Sequence, residues 1–225
     1  MFASLRNLWR SEAPLEKQYD EFVEMLRTGR VFYGTVLEVL HGDRDAEGLR
    51  SQIYSTDIEI NKRERQIRKE IVAHLTVSPG EEVAACLVLM SIVKDAERIG
   101  DFCKNLYESA GYLGKPLSET KFAYTIDEFE LYVEDLFDDT IRTFKEEDEV
   151  RATEIMQDEV RMNKKFDHFL EELAASDVST REAVCTTLIV RALKRIQAHL
   201  SNIASSVVLP VHHIDHRPKS LREKK

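Results

Sequence analysis

Apolar positions recur every three or four residues along nearly the whole chain, a spacing that predicts helices. From Leu15 to His41 the stripe is Phe22, Met25, Leu26, Phe32, Val36, Leu37 and Leu40. Gly42-Asp43 ends this helix, and Asp43 or Asp45 suits the cap of the next. The second helix is predicted over residues 46–75, with Leu49, Ile53, Ile60, Ile67 and Ile71 on its buried face. Ser78-Pro79-Gly80-Glu81 combines a capping serine, a proline suited to the first helical position and a capping-box glutamate. It opens a third helix that runs to Tyr112, before Gly114 and Pro116. The second half repeats the pattern, with helices expected over residues 126–145 and 150–174. A sixth, opened by Ser179-Thr180-Arg181-Glu182, is expected to reach Val208. No stretch alternates with period two and no Asn-Gly turn occurs, so strands are not expected.

The halves can be aligned. Ile53 to Lys62 parallels Ile155 to Lys164, and Ala96 to Leu106 parallels Leu193 to Ile203. Such a tandem duplication predicts an all-α, six-helix bundle made of two three-helix units. The expected organisation is an amphipathic segment over 1–14, a first repeat over 15–112 and a linker over 113–124. A second, degenerate repeat over 125–209 and a flexible basic, histidine-bearing tail over 210–225 complete the chain.

With 225 residues, the chain is long enough for a substantial core, and its formal charge of -9 argues against a general affinity for nucleic acid. Three cysteines, Cys86, Cys103 and Cys185, form no Cys-x-x-Cys pair. The odd count argues against a disulfide framework and for a reducing cytoplasm. No apolar run approaches the ~20 residues needed to cross a bilayer. Phe2, Leu5, Leu8 and Trp9 around Arg6 leave peripheral membrane contact open.

Polar positions inside the helices carry the candidate chemistry. Glu97 and Asp101 lie four residues apart, on one face of the third helix, with no cation between them on that face. Gly100 beside them costs about 1 kcal/mol against alanine in a helix. On the second helix Asp57, Asn61 and Glu64 share a face. Antiparallel packing of the two helices turns the stripes toward each other, and oxygen ligands from Asp57, Asn61, Glu97 and Asp101 can then converge on a hard cation. The alternative is that both stripes are solvated. Glu38-Val39-Leu40-His41 has the Glu-x-x-His spacing of di-iron bundles but occurs once, so His41 reads as a helix terminator. His212, His213 and His216 lie in the expected tail and suggest only adventitious metal affinity. Cys103 points away from the carboxylate face. Glu134, Asp135, Asp138 and Asp139 read as a solvated or docking face. There is no Walker loop, Gly-x-Ser-x-Gly or dinucleotide fingerprint.

The phrase Asp95-Ala96-Glu97-Arg98-Ile99-Gly100-Asp101 resembles the signature helix of the PhoU family of phosphate-uptake regulators, and Asp57-x-x-Ile60-Asn61-x-x-Glu64 is similar to that family's second helix. The duplication and length match as well. The resemblance implies a cytoplasmic, non-enzymatic regulator. It implies binding of iron, zinc, magnesium or manganese and docking to a membrane phosphate transporter or a sensor histidine kinase. It places the metal on Glu97, Asp101, Asp57, Asn61 and Glu64. A homodimer is also left open.

The second repeat departs from the motif. Lys194 and Ala198 stand where Glu97 and Asp101 do in the first, and Gln197 replaces Gly100. No family-type cluster is expected there, and Lys194 is expected to pair with an acid of the fifth helix. Two rival readings stand beside the regulator. One is a metal-free helical adaptor for another transporter or channel. The other is a carboxylate-bridged metalloenzyme, which needs an inward histidine that the sequence does not offer near Glu97.

Overall fold

A computed structural model describes residues 13–77, 80 and 82–214, with side chains from residue 15 onward. Six long helices follow one another: α1 (Ala13–His41), α2 (Ala46–Val77), α3 (Val83–Leu113), α4 (Ala123–Glu146), α5 (Glu149–Ala174) and α6 (Thr180–Ser205). Short 3-10 turns at Leu117–Glu119 and Val211–His213 complete the described order, in which no strand occurs. None of these helices is long and apolar enough to cross a membrane.

The expected breaks are where the chain turns. Gly42 follows α1 with φ 84°, and a Cβ there would lie 2.8 Å from Pro116, so the turn is closed to larger residues. Asp45 accepts from the Gly48 amide at 2.7 Å and caps α2. Glu147 adopts the left-handed region at φ 54°, and Asp148 then accepts from Arg151 N to start α5. Ser179 accepts from Glu182 N, as a capping serine should. The Glu182 carboxylate does something else: Oε1 accepts from Lys121 N at 2.9 Å and Oε2 from Lys115 Nζ at 3.0 Å. It therefore pins the connection between the repeats to the start of α6. Leu117 and Phe122 of that connection are buried, and α4 begins at Ala123, three residues before its expected start. The signals proposed to open α3 at Ser78, Pro79 and Glu81 lie outside the described residues, as does the segment 1–12.

The two units, α1–α3 and α4–α6, meet most extensively along α3 and α6 and also touch through α1 and α4. One apolar core runs through both. It includes Phe22, Tyr33, Ile60, Ile92, Ile99, Phe137, Phe166, Ile189 and Ile196. Apolar faces on both sides of α3 and α6 explain this, because each is covered by the other two helices of its own repeat and by the third helix of the other. Aromatic contacts add to the seams: Tyr19 stacks on Phe144 at 5.0 Å between α1 and α4, and Phe129 meets Phe166 at 4.3 Å between α4 and α5. The first residues of the expected tail are docked. Val211–His213 packs on α3, and Ile214 is buried.

Candidate functional site

The acidic stripes of α2 and α3 face each other. Ile60 lies opposite Gly100, where an added Cβ would meet Ile60 Cδ1 at 3.2 Å and Cγ2 at 3.3 Å. The glycine is thus a place of close helix approach. Lys104 Nζ reaches across from α3 to Asp57 Oδ2 at 2.9 Å. These two contacts fix an antiparallel register that sets Glu64 level with Glu97 and Asn61 level with Gly100 and Asp101.

The absence of balancing charge expected from the sequence does not hold, because cations one helical turn away complete the arrangement. Lys104 also lies 3.6 Å from Asp101 Oδ1, and Arg98 donates to Asp101 Oδ2 at 3.1 Å. Lys94 Nζ sits 2.7 Å from Glu97 Oε2, with Arg98 Nε at 3.9 Å. Arg68 donates to Glu64 Oε1 at 2.9 Å, and Asn61 gives its amide to the Asp57 carbonyl. Asp57, Glu64 and Glu97 are buried, and Asp101 is half-buried. Asp57 Oδ1 is buried with no hydrogen-bond partner. Lys104 is held charged, with its pKa above the ordinary lysine value. Burial works against the charge, and the Asp57 hydrogen bond with the charges of Asp57, Asp101 and Glu108 outweighs it. Its ammonium lies between the two acids, 2.9 Å from Asp57 Oδ2 and 3.6 Å from Asp101 Oδ1. Cys103, on the next face, is buried and its thiol pKa is pushed up, mainly by burial, so it behaves as a small apolar side chain.

The same places in the second repeat are filled differently. Glu159 aligns with Asp57 and Ser201 with Lys104. Ser201 donates to Glu159 Oε2 at 2.9 Å and Asn163 to Oε1 at 3.1 Å. Gln197, at the glycine position, donates to the Glu159 carbonyl at 3.3 Å. Lys194 pairs with Asp167 of α5, as its charge led us to expect, and Asp158 pairs with Arg161. Ala198 brings no ligand.

The PhoU domain profile matches residues 22–110 and again residues 126–207, one match on each three-helix unit. The chain belongs to the PhoU family. Solved PhoU structures share its fold. PhoU from Pseudomonas aeruginosa superposes with a TM-score of 0.79 at 22% identity, covering 87% of this chain and 96% of that one. The phosphate transport system regulatory protein PhoU from Streptococcus pneumoniae gives 0.76 at 17% identity, covering 86% and 92%. No curated protein matches the chain significantly in sequence. The facing acids of α2 and α3 lie inside the first of the two profile matches.

The other side of α3 carries a polar contact the sequence reading overlooked. Asp95 Oδ1 meets His199 Nδ1 at 2.7 Å and accepts from Asn202 at 3.1 Å, both on α6. His199 stacks against Phe102 at 5.8 Å, and Arg195 lies over the same ring. His199 is therefore an inward histidine, but it serves Asp95, which points nearly opposite to Glu97 on the helix. The available signal was its position in the buried stripe of α6, between Ile196 and Ile203. Spacing within one helix could not reveal the partner on another.

Proposed function

We propose that the chain is a metal-binding regulator of phosphate transport, acting from the cytoplasmic side by docking to a membrane phosphate transporter or its sensor histidine kinase. The observation that carries the reading is the PhoU match on both repeats, with the signature acids of α3 turned toward the acids of α2. The name of the Streptococcus pneumoniae relative, a phosphate transport system regulatory protein, supports the same role. A regulatory rather than catalytic role follows from that membership.

The residue types of the first repeat suit a hard cation, although no three of the carboxylates on Asp57, Glu64, Glu97 and Asp101 bring ligand atoms within 4.8 Å of one another. The donors on Asp57, Glu64, Glu97 and Asp101 are carboxylates, Asn61 adds an amide oxygen, and Asp57 Oδ1 is a buried acceptor lacking a hydrogen-bond donor. Magnesium, manganese, zinc or iron held there by these carboxylates would supply the positive charge that Lys104, Lys94 and Arg98 now bring to them. Lys104 specifically favours a second reading, the metal-free adaptor, since it already provides a cation at Asp57 and Asp101.

Affinity capture from membranes after cross-linking, read by mass spectrometry, tests the docking. Recovery of a phosphate transporter or its kinase is the expected result, and their absence from repeated captures overturns it. Elemental analysis of the purified chain beside Asp57→Asn and Glu97→Gln variants tests the metal. Metal lost in both variants supports the site. A metal-free wild type that takes up none on titration leaves the adaptor.

A further inference from the structure

We propose a second, separate metal site, for a divalent ion of the zinc class, formed by His41 of α1 with Asp127 and Glu130 of α4. It does not depend on the acids of α2 and α3. Among the described residues these three form the one group of its kind whose ligand atoms all lie within 4.8 Å of one another. His41 Nε2 is 2.6 Å from Glu130 Oε2 and 3.8 Å from Asp127 Oδ1.

The chain builds the site from both repeats. His41 is the last residue of α1, where the unpaired carbonyls of the final turn favour a positive charge. Asp127 and Glu130 are three apart on α4 and so share a face. Tyr33 fixes the two helices in place by donating to the Glu130 carbonyl at 3.1 Å, with its ring against Phe137. Glu38, the other half of the Glu-x-x-His spacing, is held by Arg44 at 3.2 Å and is not a ligand. The acids that complete the set come from α4, which is why sequence spacing around His41 made it look like a bare helix end.

A hydrogen-bonded pair alone leaves part of this cluster unexplained. Glu130 is 3% exposed, yet Oε1 has no hydrogen-bond partner, and neither does the buried Oδ1 of Asp127. A carboxylate oxygen buried without a donor has lost its water contacts with nothing in their place. Glu134, one turn further along, is taken by Arg30, so it does not compete for His41. A divalent ion supplies the missing partner for both oxygens. One imidazole and two carboxylates suit zinc, with water completing four ligands, and manganese or iron(II) less selectively. His41 and Asp127 are partly exposed, which gives the ion an entry path. On binding, the proton shared by His41 and Glu130 leaves to solvent, the neutral Nε2 becomes a ligand, and the 2.6 Å contact opens to about 3.3 Å, the spacing of ligands around tetrahedral zinc. Because α1 and α4 belong to different repeats, the ion joins the two units.

The test uses the full-length chain and zinc alone. Crystals soaked in zinc are measured at the zinc absorption edge, and calorimetric titrations compare wild type with His41→Ala, Glu130→Gln and Asp57→Asn. The expected result is an anomalous peak about 2.0–2.1 Å from His41 Nε2. One equivalent of zinc should be weakened by more than about 10–100-fold, the loss typical of removing only an outer partner, in both cluster variants and not in Asp57→Asn. Zinc confined to His212, His213 and His216, or to the acids of α2 and α3, overturns the proposal. So does an unchanged titration in His41→Ala. Should that variant fail to fold, the wild-type diffraction experiment decides alone.

Discussion

Lys104 Nζ lies 2.9 Å from Asp57 Oδ2, tying α3 to α2 at the level where the second repeat sets Ser201 against Glu159. The duplicated helices thus keep a buried acid at the same place, met by Lys104 in one repeat and by the Ser201 hydroxyl and Asn163 amide in the other.

Lys104→Ala removes the internal cation from Asp57 and Asp101. In chelator-treated protein it should lower stability by about 1–3 kcal/mol, the cost of stranding a largely buried hydrogen-bonded acid. Added manganese or magnesium should then raise the melting temperature more than in wild type, as binding to the folded state alone requires. Equal metal responses in the two proteins count against a cation site at Asp57 and Asp101.

Gly100 allows α3 to approach Ile60. Gly100→Ala gains about 1 kcal/mol of helix propensity but forces Ile60 to give way, and overpacking of this kind costs about 1–3 kcal/mol. In an Ile60→Ala background the strain is gone, so the same change should stabilise. Urea denaturation of the four proteins in this cycle measures the coupling, and additivity rules out a tight contact.

Asp95 accepts from Asn202 and meets His199, all three largely enclosed at the α3–α6 seam between the repeats. Asp95→Ala should cost about 2–3 kcal/mol by leaving two donors without an acceptor. It should also separate the unfolding of the two units, seen as a broadened or two-step calorimetric transition. A loss within 0.5 kcal/mol, about the range of an ordinary surface change, removes the contact from the list of interface determinants.

Glu182 has a pKa below the glutamate value of 4.5: the Lys121 amide lowers it most, burial opposes, and Lys115 lowers it further. A depressed folded-state pKa contributes stability that is complete above the unfolded value and is lost as pH falls through the folded one. Glu182→Gln should therefore be less stable than wild type at pH 7, and the gap should close as pH drops below 4.5. A gap that stays constant down to the acid transition means the charge of Glu182 does not act on the linker.

The order of six helices, their breaks at Gly42, Glu147 and Ser179, and the two-fold repetition were all legible in the sequence. These depend on interactions within a few residues: a 3.6-residue apolar period, caps, and residues that tolerate a left-handed backbone. The acidic face of α3 and its orientation toward α2 followed from the same period and a short connection. What the tertiary structure decided is what meets those acids. Lys104 crosses to Asp57, 47 residues away, and His41 meets Glu130 from 89 residues away. Periodicity gives the direction of a side chain from its own helix axis but says nothing of the rotation and register of the helix it faces. Those are set by packing, as where Gly100 admits Ile60, and the cross-helix partners of Asp57, Asp95 and Glu130 follow from them.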